Sequence, residues 1–318
     1  MSAAPTRFVV VGDATLDVTV RSPGTPFPGS DQAASITVGP GGQGANLAVR
    51  LARRGAQVTL ITAVADDLIG EQLQGALAAA GVALVPLPAP RSGIVVSLVD
   101  GAGERAMLSD RVSFEPDALT SPAARSALAG ATWIHISGYP LADPASGDGL
   151  AAIAGSRIAG QLCSVGGGSI DEGSDLLPRL RIVRPDLVLF NRAEASAIAA
   201  GTSAAGTSAA GGSDSAEALA GRLTSTVGGA AVVTDGAAGA AAAWGHGTVT
   251  LRGSRGSAVD ATGAGDAFAA GILLALAAAP WPPPLNVLRS ALEQGIRLGT
   301  EAAAVVGAQA PIPAEAGQ

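Results

Sequence analysis

The sequence contains no lysine; all 19 of its basic residues are arginine. A nucleotide-binding P-loop of the Walker type needs its Lys. Schiff-base and pyridoxal-phosphate chemistry needs a Lys amine. Protein kinases need a strand Lys. The absence excludes all of these. There is one cysteine, Cys163, so no internal disulfide forms and a Cys-based metal site is not expected. The two histidines, His135 and His246, are too few for a His-rich metal centre. His135 lies in Thr132-Trp-Ile-His-Ile-Ser137, which reads as a buried strand and makes it a structural rather than a catalytic residue. Aromatics make up 3% of the chain, so the core must be built from Ala, Val, Leu and Ile. No basic run appears and the net charge is -7, so the footprint of a nucleic-acid binder is missing. An acidic chain can still hold phosphates through backbone N–H groups. The longest apolar stretch, Ala267 to Ala279, is too short to span a bilayer. Met1 to Thr6 shows no charged-then-apolar signal pattern, and a cytoplasmic location is the expectation.

What is present is a rhythm of short apolar runs and helical periods. Length and composition fit one α/β domain over 1–318. Strands are expected at 8–12, 58–63, 82–87, 132–137, 161–165, 187–190 and 230–234. Helices are expected at 43–54, 69–80, 149–159, through Glu194, 263–278 and 285–306. The alternation predicts a largely parallel sheet covered on both faces. Two excursions, about 15–40 and 91–112, interrupt it. The second reads as a hairpin of 94–99 and 104–108 joined across Asp100 to Gly103. Together they predict a small β lid that keeps water from a reacting phosphate. The repeat Gly-Thr-Ser-Ala-Ala-Gly within 201–212 reads as a mobile, low-complexity loop.

The strongest chemical signal is Val259-Asp-Ala-Thr-Gly-Ala-Gly-Asp-Ala-Phe268. Gly263, Ala264 and Gly265 open a long helix, where unpaired N–H groups and the helix dipole favour an anion. Asp266 follows in the first turn. It could serve the helix dipole alone, but the adjacent Gly pair costs helix stability and suits a phosphate cradle better. A cradle beside a carboxylate fits phosphoryl transfer: one holds developing charge, the other takes a hydroxyl proton. The second signal is Gly39-Pro-Gly-Gly-Gln-Gly-Ala-Asn46, glycine-rich and ahead of a helix. It lacks the G-x-G-x-x-G spacing and a clear preceding strand. Asn46 offers hydroxyls both a donor and an acceptor.

These segments resemble the paired signatures of the ribokinase family, the PfkB-type carbohydrate kinases. Gly41 to Asn46 together with Thr62 to Gly70 resembles the N-terminal signature, and Asp260 to Phe268 the C-terminal one. The resemblance spans nearly the whole chain. It implies a ribokinase-like three-layer α/β/α sandwich with a mostly parallel central sheet and a small β lid. It implies an ATP-dependent kinase acting on a hydroxyl of a sugar or sugar-derived molecule. By the same resemblance Asp266 matches the catalytic base and Gly263, Ala264 and Gly265 the anion hole. Asp17, Gly42 and Asn46 match substrate contacts. Asn191 and Glu194 match an N-x-x-E element that organises Mg²⁺ and phosphate, largely through water; their spacing also fits a plain helix cap. Thr234 and Gly236 match the nucleotide-side turn. Asp260 and Thr262 fall where many members bind a monovalent cation such as K⁺. The lid edges suggest a homodimer clasp, as in some relatives, although charge can also protect such edges.

Some positions depart from the pattern. Ala261 and Ala65 replace a usual Thr and Gly. Thr15 and Gln43 stand where ribokinases proper often have Asn and Lys. Both fall on the sugar side, so the resemblance does not single out ribose. Gly166 to Gly168 occupies a place where many sugar kinases have an Asp, and the stretch between Ala302 and Gly307 looks shortened. Arg105 and Arg111 in the lid segments suit a substrate carboxylate or, equally, a solvated edge. Two alternatives stand beside the sugar kinase: a nucleoside kinase of the same fold, and a non-catalytic sugar- or nucleotide-binding protein. Only Phe27 and Phe114 lie near the lid to stack a base, which weighs against the first. An intact base and anion hole weigh against the second.

Overall fold

The computed structural model describes residues 6–22, 24, 29, 31–101, 105–168, 176–200, 214–245, 247–254 and 259–310. The repeat at 201–212, His246, Phe27 and the second half of the expected 100–103 connection, Ala102 and Gly103, lie outside these residues.

A nine-stranded sheet forms the middle layer. Third from one edge is β1 (Arg7–Val11), flanked by β4 (Gln57–Ala63) and then β5 (Ala83–Leu87) on that side. On the other side come β8 (Trp133–Ile136), β9 (Leu162–Gly166), β10 (Leu187–Asn191) and β11 (Ala230–Thr234), all parallel. The antiparallel pair β12 (Gly239–Trp244) and β13 (Gly247–Arg252) closes the far edge. Strand order therefore reverses between β1 and β8, and a ligand crevice is expected outside the carboxyl ends of the strands there.

Alternate residues of one strand feed two separate cores. Val9 and Val11 of β1 pack into one, Phe8 and Val10 into the other. Ala231 and Val233 of β11 divide from Ala230 and Val232 in the same way. This two-sided burial is why the strands read as continuous apolar runs rather than alternating ones. Helix α1 (Gln43–Ala52), α2 (Leu68–Ala79), α9 (Ala264–Ala277) and α10 (Leu285–Ala303) cover the second core. Helices α5 (Gly147–Gly155), α6 (Leu176–Val183), α7 (Arg192–Ala199) and α8 (Ala216–Val227) cover the first. The result is three layers, helix–sheet–helix. No described helix is long and apolar enough to cross a membrane.

A second, four-stranded sheet stands off the first in the order β3 (Ser35–Gly41), β2 (Thr15–Arg21), β6 (Gly93–Val99), β7 (Arg105–Asp110). Cross-strand register lines up Val38, Val18, Val96 and Leu108 in one row and Ile36, Val20, Leu98 and Ala106 in the next. Side chains two apart share a face, so both rows lie on one face of the small sheet. Ile36, Val38 and Leu108 are about 60% exposed on it. Asp17 and Val95 belong to the opposite face, where Val95 is buried.

Several expectations need correction. Gly39 to Gly41 ends a clear strand, β3, which runs almost directly into α1. Its Gly and Pro content hid the strand, because pairing with β2 supplies what local propensity does not. The expected helix 149–159 spans Gly147–Gly155, and the one expected to reach 306 stops at Ala303. Strands β12 and β13 and helices α6 and α8 were not anticipated. The alanines of β12 have low strand propensity and are held by two neighbours.

Helices α9 and α10 cross at Gly271 and Gly295. A Cβ on Gly271 would lie 2.8 Å from Gly295 Cα. Gly271→Ala gains about 1 kcal/mol of helix propensity. It must also push two backbones apart, at a cost of about 1–3 kcal/mol. The expected net result is a lower denaturation midpoint with an unchanged m-value. A raised midpoint would mean that the helices do not touch there.

Candidate active site

Asp266 sits in the first turn of α9, at the carboxyl ends of the central strands. Gly263 precedes the helix with φ 74°, and a Cβ there would press within 2.9 Å of Ala308 Cα. Only glycine takes that conformation in that space without strain. Gly265 is open: a Cβ would meet nothing within 4 Å. Of the three expected amides, that of Ala264 is engaged, donating to Ala261 O at 3.2 Å. The Gly263 and Gly265 amides donate to no described residue, and Gly265 lies next to Asp266.

The Asp266 carboxylate accepts from Asn46 Nδ2 at 2.9 Å. Gln309 Nε2 in turn donates to Asn46 Oδ1 at 3.0 Å, which fixes the amide's orientation. Burial pushes the Asp266 carboxyl up to about 7. The Asn46 bond pulls it down, Asp13 pushes it up, Arg50 pulls down and Asp17 pushes up, each by less than burial does. Asp266, Gly265, Gln43, His135, Glu194 and Thr234 line one small cavity of about 140 Å³. Gly236 opens the 3₁₀ turn Gly236–Ala238 beyond β11 and lies outside that lining.

Asn191 and Glu194 form a full capping box on α7, with reciprocal bonds of 2.9 Å. The helix-cap reading of this pair is therefore real geometry. It does not exhaust Glu194, whose carboxyl burial raises to about 7 despite backbone bonds from Asn191 and Gly168. A Cβ on Gly167 would overlap that carboxylate at 1.9 Å, so any larger residue there would displace it from its present place.

A larger cavity, about 370 Å³, lies against the end of β1 and the small sheet. Asp13, Thr15, Thr62, Arg111 and Tyr139 line it. Asp13 accepts from the Gly44 amide at 3.3 Å and pairs with Arg111. The Arg111 guanidinium lies 3.7 Å over the Tyr139 ring. Arg111 is thus an anchored pocket residue, not the solvated edge charge its sequence position allows. Gly42, at φ 92°, has no room for a side chain: a Cβ there would come within 2.6 Å of Asp13 O. Asp17 accepts from Thr15 Oγ1 at 2.8 Å and sits beneath Gly41, where a Cβ would come within 2.1 Å of its carboxylate. Burial raises its carboxyl; the Thr15 bond and Arg111 oppose this.

Asp260 and Thr262 lie on the turn before α9. Asp260 accepts from Thr262 N (3.0 Å), Thr262 Oγ1 (2.5 Å), Gly307 N (3.1 Å) and Arg21 Nη2 (3.3 Å). Burial alone would raise its carboxyl, but these bonds outweigh it and hold it below the usual range. Arg105 Nη1 donates to Thr262 Oγ1 at 2.6 Å. Two arginines from the small sheet thus reach the turn that leads to Asp266. Among the described residues no group of three or more His, Cys, Asp or Glu is arranged to hold a metal.

Sequence reading missed Asp13, Tyr139 and Gln309. Asp13 follows the glycine that ends β1, a signal that was available. Gln309 lies 263 residues from Asn46, and nothing local marks it.

The pfkB family carbohydrate kinase profile matches residues 5–314. The chain is similar to a fructokinase from Klebsiella pneumoniae, 32% identical over 313 residues that cover 96% of each chain. Its fold is similar to that of a ribokinase from Giardia lamblia, with TM-score 0.81, 18% identity, and 98% and 97% of the two chains covered. It is also similar to a ribokinase from Cryptococcus neoformans var. grubii serotype A in complex with ADP, with TM-score 0.72, 22% identity and 96% of each chain covered. With a profile match over nearly its full length on a ribokinase-like fold, the chain belongs to the pfkB family of carbohydrate kinases, phosphotransferases with an alcohol group as acceptor.

Proposed function

We propose that this kinase transfers the terminal phosphoryl of ATP to a hydroxyl of an unphosphorylated sugar, fructose being the first candidate, with Asp266 as the general base. One observation carries the reading: a carboxyl raised to about 7 by burial, fixed by Asn46, at an open helix start. A base with that pKa is half ionised near neutrality and strong enough to take a hydroxyl proton. The open Gly265 amide and the positive end of α9 stabilise charge on the moving phosphoryl. Fructose is favoured by the 32% identical fructokinase and by the larger cavity's charge. Arg111, the cationic residue among its lining, is already paired with Asp13, which leaves little to attract a phosphate or carboxylate on the sugar. Asp17 and Thr15 lie beside Asp13, where sugar hydroxyls find acceptors.

Glu194 fits a Mg²⁺ role: it is a buried carboxylate on the small cavity, and a nearby cation would offset its desolvation. Glu194 and Asn191 would hold the ion through water, and Mg²⁺ would neutralise phosphate charge. A K⁺ at Asp260 fits poorly, because Arg21 already occupies that carboxylate with a positive charge. No step is assigned to it. The small sheet acts as the lid over the sugar, latched by Arg21 and Arg105. Its outer face, two apolar rows wide, pairs with the same face of a second copy, because a monomer would leave it to water. The setting proposed for this chemistry is the cytoplasm.

Asp266→Asn should lower turnover about 10²–10⁴-fold while leaving ATP binding intact. Parent-like turnover of fructose, or of ribose, 2-keto-3-deoxygluconate, adenosine and pseudouridine in the same panel, would reject Asp266 as the base. Stability should move the opposite way. The raised pKa means the native state holds this proton up to about 7, so its stability contribution is lost as pH rises from about 4 through 7. Asp266→Asn should therefore be more stable than the parent at pH 8 and closest to it at pH 4, by denaturant titration. For the pairing of copies, Val38→Arg should convert a dimer to a monomer in light scattering; a parent that is already monomeric rejects the clasp.

A further inference from the structure

His135 was expected to be structural, and its surroundings give it more to do. Trp133 Nε1 donates to Ser164 Oγ at 2.9 Å, and Ser164 Oγ lies 2.8 Å from His135 Nδ1. All three side chains are buried. The Ser164 hydroxyl already accepts from Trp133, and its own proton has no other acceptor among the described residues than His135 Nδ1. That leaves the proton of the neutral imidazole on Nε2. Burial keeps the ring uncharged, pushing its pKa down to about 3.

Nε2 carries no hydrogen bond to any described residue, although His135 is only 1% exposed. His135 lines the small cavity, and Nε2 is not sealed in the core, so it is a donor held ready for an acceptor that enters there. The reason it is bare is Gly166: a Cβ there would sit 3.1 Å from Nε2. The same Cβ would sit 3.9 Å from Gln43 Nε2. Gln43 accepts from the Gly138 amide through Oε1 at 3.2 Å, which fixes the amide and turns its NH₂ away from that bond. Its NH₂ also has no described partner. Both donors therefore border the small cavity that Gly265 and Asp266 line.

We infer that His135 Nε2–H and the Gln43 amide are the neutral wall of the phosphoryl site, donating to oxygens of the group in transfer. This rests on the kinase reading above and adds two residues to it. The transferring group spreads its charge over three oxygens, and the open amide at the start of α9 reaches only part of it. Donors already fixed by Trp133, Ser164 and Gly138 need no reorganisation when that charge develops. The ligand class is a tetrahedral or trigonal oxyanion of phosphorus.

Two histidines in the whole chain make the test direct. In ¹⁵N-histidine NMR of the full chain, His135 should show the Nε2–H tautomer. Its Nε2 resonance should move on adding Mg²⁺, ADP and aluminium fluoride, which mimics the group in flight. His135→Ala should lower kcat about 10²-fold with KM for ATP and sugar little changed. His135→Gln, which restores an N–H donor, should recover part of it. Gly166→Ala keeps the imidazole but sets a methyl 3.1 Å from Nε2 and 3.4 Å from Cε1, covering the donor, and should lower kcat in the same manner. An Nδ1–H tautomer, an unmoved resonance, or full kcat in Gly166→Ala would each overturn the inference. A moved resonance together with a fully active Asp266→Asn would reject the base and leave the oxyanion wall standing.

Discussion

Everything at this site depends on keeping the Asp266 carboxylate out of water while holding it in one place. Burial raises its pKa, and the Asn46 bond keeps the rise in check. Asn46 can do this only because Gln309 fixes its amide, and the segment carrying Gln309 is itself tied to α1. Arg50 donates to Ala308 and Ala310 carbonyls at 2.7 and 2.8 Å, and Arg53 to Gln309 O at 2.6 Å. Asp266 is therefore held by a chain of contacts running from the Gly-rich start of α1 through the C-terminal segment to α9. The two glycine signatures, over 200 residues apart in sequence, are one structure.

The small sheet adds a second layer of control. Its arginines do not float at the rim. Arg21 and Arg105 grip the turn before α9, and Arg111 locks Asp13 from above Tyr139. With no lysine in the chain, each of these contacts is made by a planar guanidinium. That geometry suits fixed, directional bonds better than an ammonium would. The small sheet is thus anchored both at the larger cavity and at the turn before α9, as the proposed lid requires.

The layered fold was legible because β1, β10 and β11 are apolar on both faces and punctuated by Gly, Asn or Thr at the site edge. The unforeseen elements are those whose order comes from neighbours. The alanine strand β12 and the Gly-Pro end of β3, residues 39–41, carry little local signal and are held by pairing, whereas the start of β3 within 33–38 was readable as a short strand. At the site, residues inside the motifs that carry the family resemblance stood out: Asp266, Gly265, Asn46, Glu194 and Thr234 reach the small cavity or touch a residue that does. His135 and Arg111 were read as bland because a strand pattern and a lone charge look alike whether or not they face a cavity. Gln309 was invisible, since only the folded chain brings it to Asn46.

The central claim is that a carboxyl with a neutral-range pKa takes the proton. The dependence of kcat/KM for the sugar on pH, at saturating Mg²⁺ and ATP, tests it most directly. The account predicts a limb of unit slope rising through pH 7, where the Asp266 carboxylate forms. A rate that stays level down to pH 5, as an ordinary surface aspartate would give, contradicts it.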